Sequence, residues 1–254
     1  MHVLITGASS GIGEAIAGEY LTRGASLTVV ARRRDRLEAL AGRAGDGRVH
    51  VIARDLSEHD GVPEVVAEAE AALGPIDVLV NNAGVQILGP AHQAAWAPGE
   101  QLLKVNVLAP LRMTLAVLPG MVARGAGTIV DVASMAALAP TPGMFFYNAS
   151  KGALAAASEG LRAEVAPHGV HVVTVYPGPV RSDMETAARE AFQRSGTLSR
   201  VPTGTADELA RLIADAVTHR RPRVIYPRFY ALSRHLPAAT RWLVDTFTPP
   251  LKDA

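Results

Sequence analysis

The sequence predicts an α/β protein built on a doubly wound, mainly parallel seven-stranded sheet with helices on both faces. Three observations predict it. Short β-branched runs alternate along the chain with longer segments of helical periodicity, the pattern of a parallel sheet crossed by helices. The first run ends in a glycine-rich turn that opens a helix. Small or polar residues (Asp55, Asn82, Ser134, Gly178) follow later runs, at the sheet edge where ligands bind.

Composition limits the alternatives. The chain has 254 residues, 48% hydrophobic and 19% charged, enough to bury one large core, and a single domain over 1–254 is expected. A formal net charge of +1 gives no reason to expect nucleic acid as a partner. Without cysteine there are no disulfides, thiol nucleophiles or cysteine metal sites, and no metal is expected. The start, Met1-His2-Val3-Leu4-Ile5-Thr6, has no basic leader, and no run of about 18 or more apolar residues occurs. The expectation is a soluble, cytoplasmic chain without a membrane-spanning segment.

Residues 2–6 form the first strand, and Thr6-Gly7-Ala8-Ser9-Ser10-Gly11-Ile12-Gly13 follows it. Ile12, Ala15, Ile16, Glu19, Tyr20 and Arg23 then keep helical spacing up to a Gly24 C-cap. A strand, a glycine turn and a helix start in that order make a phosphate cradle. Glycines let the backbone approach, and the helix end offers free N–H groups and a positive dipole. Gly7, Ser9, Ser10, Gly11, Ile12 and Gly13 are therefore candidate dinucleotide contacts. Residues 26–31 are the second strand. A dinucleotide fold usually ends it with an acid on the adenosine ribose, but here Ala31 precedes Arg32, Arg33 and Arg34. Arginines at a helix N-terminus oppose its dipole, and a 2′-phosphate held by Arg32 and Arg33 offsets that. The alternative is a solvated basic turn partly neutralised by Asp35 and Glu38. The arginines favour NADP over NAD.

Residues 48–53 are the third strand, with Asp55 and Leu56 beyond it. Asp55 either bonds an adenine amino group or caps the next helix, and the two roles can coexist. Residues 62–73 read as an amphipathic helix. The fourth strand, 76–80, ends in Asn81-Asn82-Ala83-Gly84, whose small residues allow close approach of backbone and cofactor. A helix over 99–118 carries Asn106 among apolar neighbours and is expected to kink at Pro110. Asn106 either holds a helix distortion and a water or satisfies a nearby loop. The fifth strand, 128–132, runs to Ala133-Ser134, and 135–146 is a loop of apolar and small residues. The helical pattern of 147–165 sets Tyr147 and Lys151 four apart on one face. An ammonium there favours the phenolate and brings a tyrosine pKa near ~10 down, toward acid–base work at neutral pH. The sixth strand, 171–176, leads into Pro177-Gly178-Pro179-Val180-Arg181-Ser182. Residues 183–205 are polar and irregular and are expected to form a substrate lid. A helix over 207–217, a seventh strand over 223–226 and a basic, aromatic tail over 229–254 complete the chain.

Thr6-Gly7-x-x-x-Gly11-x-Gly13, Asp55, Asn82-Ala83-Gly84, Asn106, Ser134, Tyr147-x-x-x-Lys151 and Pro177-Gly178 stand in one order. That set resembles the short-chain dehydrogenase/reductase family, in its single-domain subclass, from Met1 to roughly Tyr226. The resemblance implies a Rossmann-like fold and hydride transfer between a nicotinamide and a carbonyl–alcohol pair. It implies Tyr147 as general acid in reduction and base in oxidation, with Lys151 on the nicotinamide ribose and lowering the tyrosine's pKa. It implies Ser134 on the substrate oxygen, where charge develops, and Asn106 on a proton-relay water. Pro177, Gly178 and Val180 would line the nicotinamide, and Ser182, where the family often has Thr, its carboxamide. Asp131 and Ala133 depart from the Asn and Ser that often precede the catalytic serine.

The expected substrate wall is Val85, Gln86, Ile87, Met135, Ala136, Leu138, Pro142, Met144, Phe145 and Phe146. It is almost uncharged, which favours a lipophilic ketone, aldehyde or secondary alcohol. The tail either packs over the site or another subunit, or touches a membrane surface peripherally. The alanine-rich stretch 149–157 suits close packing in a homodimer or homotetramer. A non-catalytic NADP-binding sensor would share the glycine loop and Arg32, yet it has no need of Ser134, Tyr147 and Lys151 in register. A methyltransferase would usually end the second strand with an acid. An NADP-dependent oxidoreductase fits best.

Overall fold

The computed structural model describes residues 1–45, 47–192 and 202–252. Seven strands pair in parallel: β1 (His2–Thr6), β2 (Ser26–Ala31), β3 (Val49–Ala53), β4 (Val78–Asn81), β5 (Gly127–Val132), β6 (Val170–Pro177) and β7 (Arg223–Tyr226). Their order is β3-β2-β1-β4-β5-β6-β7, the doubly wound arrangement expected. The helices are α1 (Gly11–Thr22), α2 (Arg34–Ala44), α3 (Val62–Leu73), α4 (Trp96–Leu103), α5 (Ala109–Arg124) and α6 (Phe145–Val165). After them come α7 (Asp183–Ala191), α8 (Ala206–Thr218), α9 (Leu232–His235) and α10 (Pro237–Phe247).

Successive side chains of a strand point to opposite faces, so β1 sends Val3 and Ile5 to one core and Leu4 to the other. The first core takes Ile16 of α1, Leu37 of α2 and Leu209 and Ile213 of α8. The second takes Val65 of α3 and Met113 and Val117 of α5. Strands β1, β4 and β6 are buried along their whole length, which is why they read as nearly unbroken apolar runs. Each buried Val, Leu or Ile contributes about 1.5–3 kcal/mol. The chain winds outward from β1 to β3 and then crosses back to β4. The loops after β1 and β4 therefore diverge and leave a crevice at the carboxyl ends of the central strands.

The helix expected over 99–118 runs from Trp96 to Arg124 and widens into a π turn, Lys104–Leu108. Pro110 has no N–H, and its ring crowds the carbonyl of Asn106 four residues earlier. The wider turn absorbs that conflict and leaves Asn106 wholly buried. By length and composition alone this run is long and apolar enough to cross a membrane, with a mean hydropathy of 1.5 over its most apolar stretch. Met113, Val117 and Met121 on it are buried in the core, and α5 packs on β4 and β5, which is the position of a core helix. Residues 183–191, expected to be irregular, form α7. Ser182 Oγ accepts from the N–H of Glu185 (3.2 Å), and Glu185 pairs with Arg189 one turn on. Of the expected lid, 193–201 lies outside the described residues.

Glu159 on α6 fastens one edge of the molecule. Arg162 and Arg223 donate to its carboxylate, Tyr176 OH does so at 2.9 Å, and Arg234 of α9 at 3.5 Å. Burial pushes its pKa up, but the guanidinium groups of Arg223 and Arg162 outweigh that and hold it at about 2. A carboxyl that titrates lower folded than unfolded stabilises fully above the ordinary glutamate range, and this is lost as pH falls toward 2. Glu159→Gln is expected to lower the unfolding free energy at neutral pH by about 1–2 kcal/mol. In urea titrations the gap from the wild type should close as the pH is taken toward 2.

Candidate active site

A cavity of about 930 Å³ opens at the crevice. At one end Gly7 and Gly11 hold positive φ, 69° and 58°, where glycine is favoured. A Cβ on Gly7 would lie 2.8 Å from Ala83 Cα, so the turn and the strand end close on each other because Gly7 has none. Thr6 Oγ1 joins the two, accepting from the N–H groups of Asn82 and Ala83 at 3.0 Å each. Asn82 Nδ2 donates to the carbonyl of Thr6 at 2.9 Å. Ser10 stands at the N-cap of α1 and makes no side-chain cap bond. The first-turn N–H groups are thus left without that acceptor, an arrangement that receives an anion. Gly7, Ser9, Ser10, Gly11 and Ile12 line the cavity; Gly13 does not. A Cβ on Gly13 would strike Gly7 O and Asn82 Nδ2, so this glycine packs α1 against the turn and does not face the cavity.

Arg33, at the N-cap of α2, folds back and donates to Ser9 Oγ (3.0 Å) and Ser10 Oγ (2.7 Å). Arg32 extends outward, its side chain 70% exposed, with Nη1 3.9 Å from Asp55 Oδ2. Asp55 does not cap α3: its Oδ1 accepts from the N–H of Ser57 (2.9 Å) in an Asx turn, and α3 is entered from Gly61. Asp55 and Leu56 line this end of the cavity, and so does Arg54, which the sequence reading missed. Its Nε is buried without a partner among the described residues. The signal was present, since Arg54 directly follows β3 at the same edge that singled out Asp55.

At the other end Ser134, Tyr147 and Lys151 come together with Asn82, Ala83, Gly84, Pro177, Gly178, Val180 and Ser182. Ser134 leaves β5 with an extended backbone, and its Oγ accepts from the N–H of Ala136 at 3.1 Å. Lys151 is 4% exposed; its Nζ donates to the carbonyl of Val132 at 2.9 Å and stands 5.9 Å from the centre of the Tyr147 ring. The expected downward pull on the phenol is not what this structure has. Burial pushes Tyr147 above its ordinary range, and the Ser134 hydroxyl is the group that pulls it back. Burial also takes Lys151 down to about 8, with Asp131 opposing. For each of the two, desolvation outweighs the neighbour that opposes it.

Asn106 does not reach the cavity. Its Oδ1 accepts from the N–H of Val85 (2.8 Å), and its Nδ2 donates to the carbonyl of Val85 (2.9 Å) and to Ser150 Oγ (3.1 Å). It pins the segment after β4 to α6 behind the site. Val85, Gln86, Met135, Ala136 and Met144 form part of the wall, whereas Ile87, Leu138, Pro142, Phe145 and Phe146 are not on it. Phe146 instead fills the space beside Gly99. The missing wall comes from later in the chain: Met184, Ala188 and Phe192 from α7 and just beyond it, and Leu243, Val244 and Phe247 from α10. The tail therefore packs over the site. A bridge between Phe192 and Leu251 and the bond from Lys252 N to Ala191 O (3.0 Å) join it to the end of α7.

Residues 1–193 match the sequence pattern of the short chain dehydrogenase family. The chain is 39% identical over 189 residues to a short chain dehydrogenase of Pseudocercospora fijiensis, covering 71% of this chain and 60%, under two thirds, of that relative. It is 37% identical over 232 residues to a fatty acyl-CoA reductase of Mycobacterium tuberculosis, covering 89% of this chain and 76% of the other. The solved structure of a short-chain dehydrogenase from Sphingobium yanoikuyae in complex with NADPH superposes with a TM-score of 0.81 at 31% identity. That alignment covers 97% of this chain and 95% of that one.

The bridge made by Asn106 can be tested on its own. Asn106→Ala strips both polar groups of Val85 of their side-chain partner, and because Val85 is only part-buried at the cavity wall a cost of about 1 kcal/mol per lost bond is expected. Denaturant unfolding of the variant measures it.

Proposed function

The chain belongs to the short-chain dehydrogenase family, and we propose that it is an NADP(H)-dependent oxidoreductase interconverting a lipophilic carbonyl compound and its alcohol. The observation that carries this reading is one cavity with Ser134, Tyr147 and Lys151 at one end and Arg32, Arg33 and Arg54 at the other. The residues present fit the dinucleotide. The uncapped start of α1 suits a pyrophosphate, and the arginines, one with an unpartnered buried Nε, suit a 2′-phosphate. A relative solved with NADPH supports the same choice.

Bound NADPH supplies the hydride in the reducing direction. The Ser134 hydroxyl donates to the substrate oxygen, where negative charge builds. Tyr147 gives its proton to that oxygen in reduction and takes it back in oxidation. Lys151 spends one N–H on the carbonyl of Val132, which leaves others for the ribose hydroxyls. Its charge favours the phenolate that Tyr147 leaves behind. Because burial holds Tyr147 above the usual phenol range, the free chain keeps the proton that reduction needs.

Val85, Met135, Met144, Leu243 and Phe247 on the wall favour an apolar substrate, and one relative is a fatty acyl-CoA reductase. A homo-oligomer belongs to the same proposal: Trp96 and Leu115 are each 68% exposed and Phe145 61%, apolar surface that a second copy would cover.

Following the reduced nicotinamide band with apolar ketones and aldehydes tests the reading. Tyr147→Phe is expected to lose about 10²-fold or more in turnover with NADPH affinity nearly intact. Tight NADPH binding by the wild type without turnover on any carbonyl or alcohol would favour a binding-only role. Arg32→Ala with Arg33→Ala should weaken NADPH by about tenfold or more while leaving NADH little changed. Reduction should decline as pH rises through about 8, where Lys151 loses its proton.

A further inference from the structure

Beneath the reaction site lies a layer of polar side chains shut off from water. Asp131 of β5 is the register neighbour of Asn81 on β4 and of Thr174 on β6. Ser158 of α6 joins them, and none of the four is more than 3% exposed. Asn81 Nδ2 donates to Asp131 Oδ1 at 2.8 Å, and Ser158 Oγ and Thr174 Oγ1 share a hydrogen bond of 2.9 Å. The Ser158 hydroxyl also helps to hold the Asp131 carboxyl down against burial. Lys151 enters from above, two turns before Ser158 on the same helix face. Its ammonium bonds the carbonyl of Val132, the residue next to Asp131.

A carboxylate in the middle of a sheet is costly unless something offsets it. Asparagine has the same shape and would accept the bond from Asn81 without carrying charge. The need for charge comes from Lys151, an ammonium taken almost wholly out of water. Of the described ionisable groups, Asp131 adjoins the residue whose carbonyl Lys151 bonds, without a direct ion pair to it, and Tyr147 stands one turn away on the same helix. The other buried polar groups of this region are neutral: Asn81 from β4 and Thr174 from β6, with Asn106 of the π turn beside Lys151 at Gly84. Tyr176 of β6 turns its hydroxyl to Glu159 instead.

We propose that Asp131 is the buried counter-charge of Lys151, a positioning residue that keeps the ammonium charged in the dry floor of the site. Burial raises the carboxyl, while Asn81, Ser158 and Lys151 pull it down; burial lowers the lysine, while Asp131 pulls it up. The two charges hold each other. The proposal deepens the functional reading, in which Lys151 is the working lysine, but its test needs no turnover.

The sequence contains three lysines, Lys104, Lys151 and Lys252, so NMR of the full chain with isotope-labelled lysine follows each one singly. In Asp131→Asn the Lys151 signal should titrate about one pH unit or more below its wild-type position, with Lys104 and Lys252 unmoved. In Lys151→Met the Asp131 carboxyl should titrate higher than in the wild type, because coupling between two groups acts both ways. This second arm stands if Asp131→Asn does not fold. A Lys151 titration indifferent to Asp131→Asn, or an Asp131 titration indifferent to Lys151→Met, overturns the proposal. A wild type that reduces no carbonyl would sink the functional reading and leave the titrations to decide this one. With turnover present, the alkaline limb of reduction in Asp131→Asn should move down with Lys151.

Discussion

The hydroxyl of Thr6 holds the site together. Its oxygen accepts from two successive N–H groups, those of Asn82 and Ala83, at positions 76 and 77 residues further along the chain. The strands they end, β1 and β4, are the pair at which the winding of the sheet reverses. A glycine turn cannot cradle an anion unless its far side is held in place. Here that side is the end of β4, drawn in until only a residue without a side chain fits at Gly7. The placement of Gly84 against Lys151 and Asn106 follows from the same closure: a Cβ there would lie 3.3 Å from the lysine nitrogen.

From that closure the chemistry runs outward along one floor. The ends of β4, β5 and β6 place Asn81, Asp131 and Thr174 side by side below and Asn82, Ser134 and Pro177 above. The sheet thus separates a dry layer, where charge must be matched within the protein, from a cavity open to ligands. Lys151 spans the two, and its ionisation belongs to both layers at once. A wet site would set the tyrosine and lysine by their mutual attraction; this one sets them first by burial.

Much of this was legible in the residues. Short, nearly unbroken β-branched runs marked the strands, and the glycine turn, Arg32 and Arg33, Ser134, Tyr147 and Lys151 all reach the cavity. What could not be read has physical causes. Gly13 and Asn106 have the right identity for contact but face inward, because a spacing does not say which side of a turn a residue takes. The direction of the Tyr147 shift depends on desolvation, which exists only once the chain is packed. That the tail packs over the site was one of the expected outcomes, but which of its side chains form the wall was not legible, because α10 stands some sixty or more residues from any motif in the chain. By contrast α7 was readable, since Ser182 and Glu185 have the spacing of a helix start, and the polar composition around them obscured it.

The wall from α10 has a further consequence for how such a protein diverges. The shared family pattern ends at residue 193, and Leu243, Val244 and Phe247 lie beyond it. The proposed cradle and proton-handling groups are thus encoded in one part of the gene and much of the cavity's outer shape in another. Drift in the last stretch can reshape what the cavity admits without touching Ser134, Tyr147 or Lys151. Selection acting on substrate choice has a separate target from selection acting on the reaction.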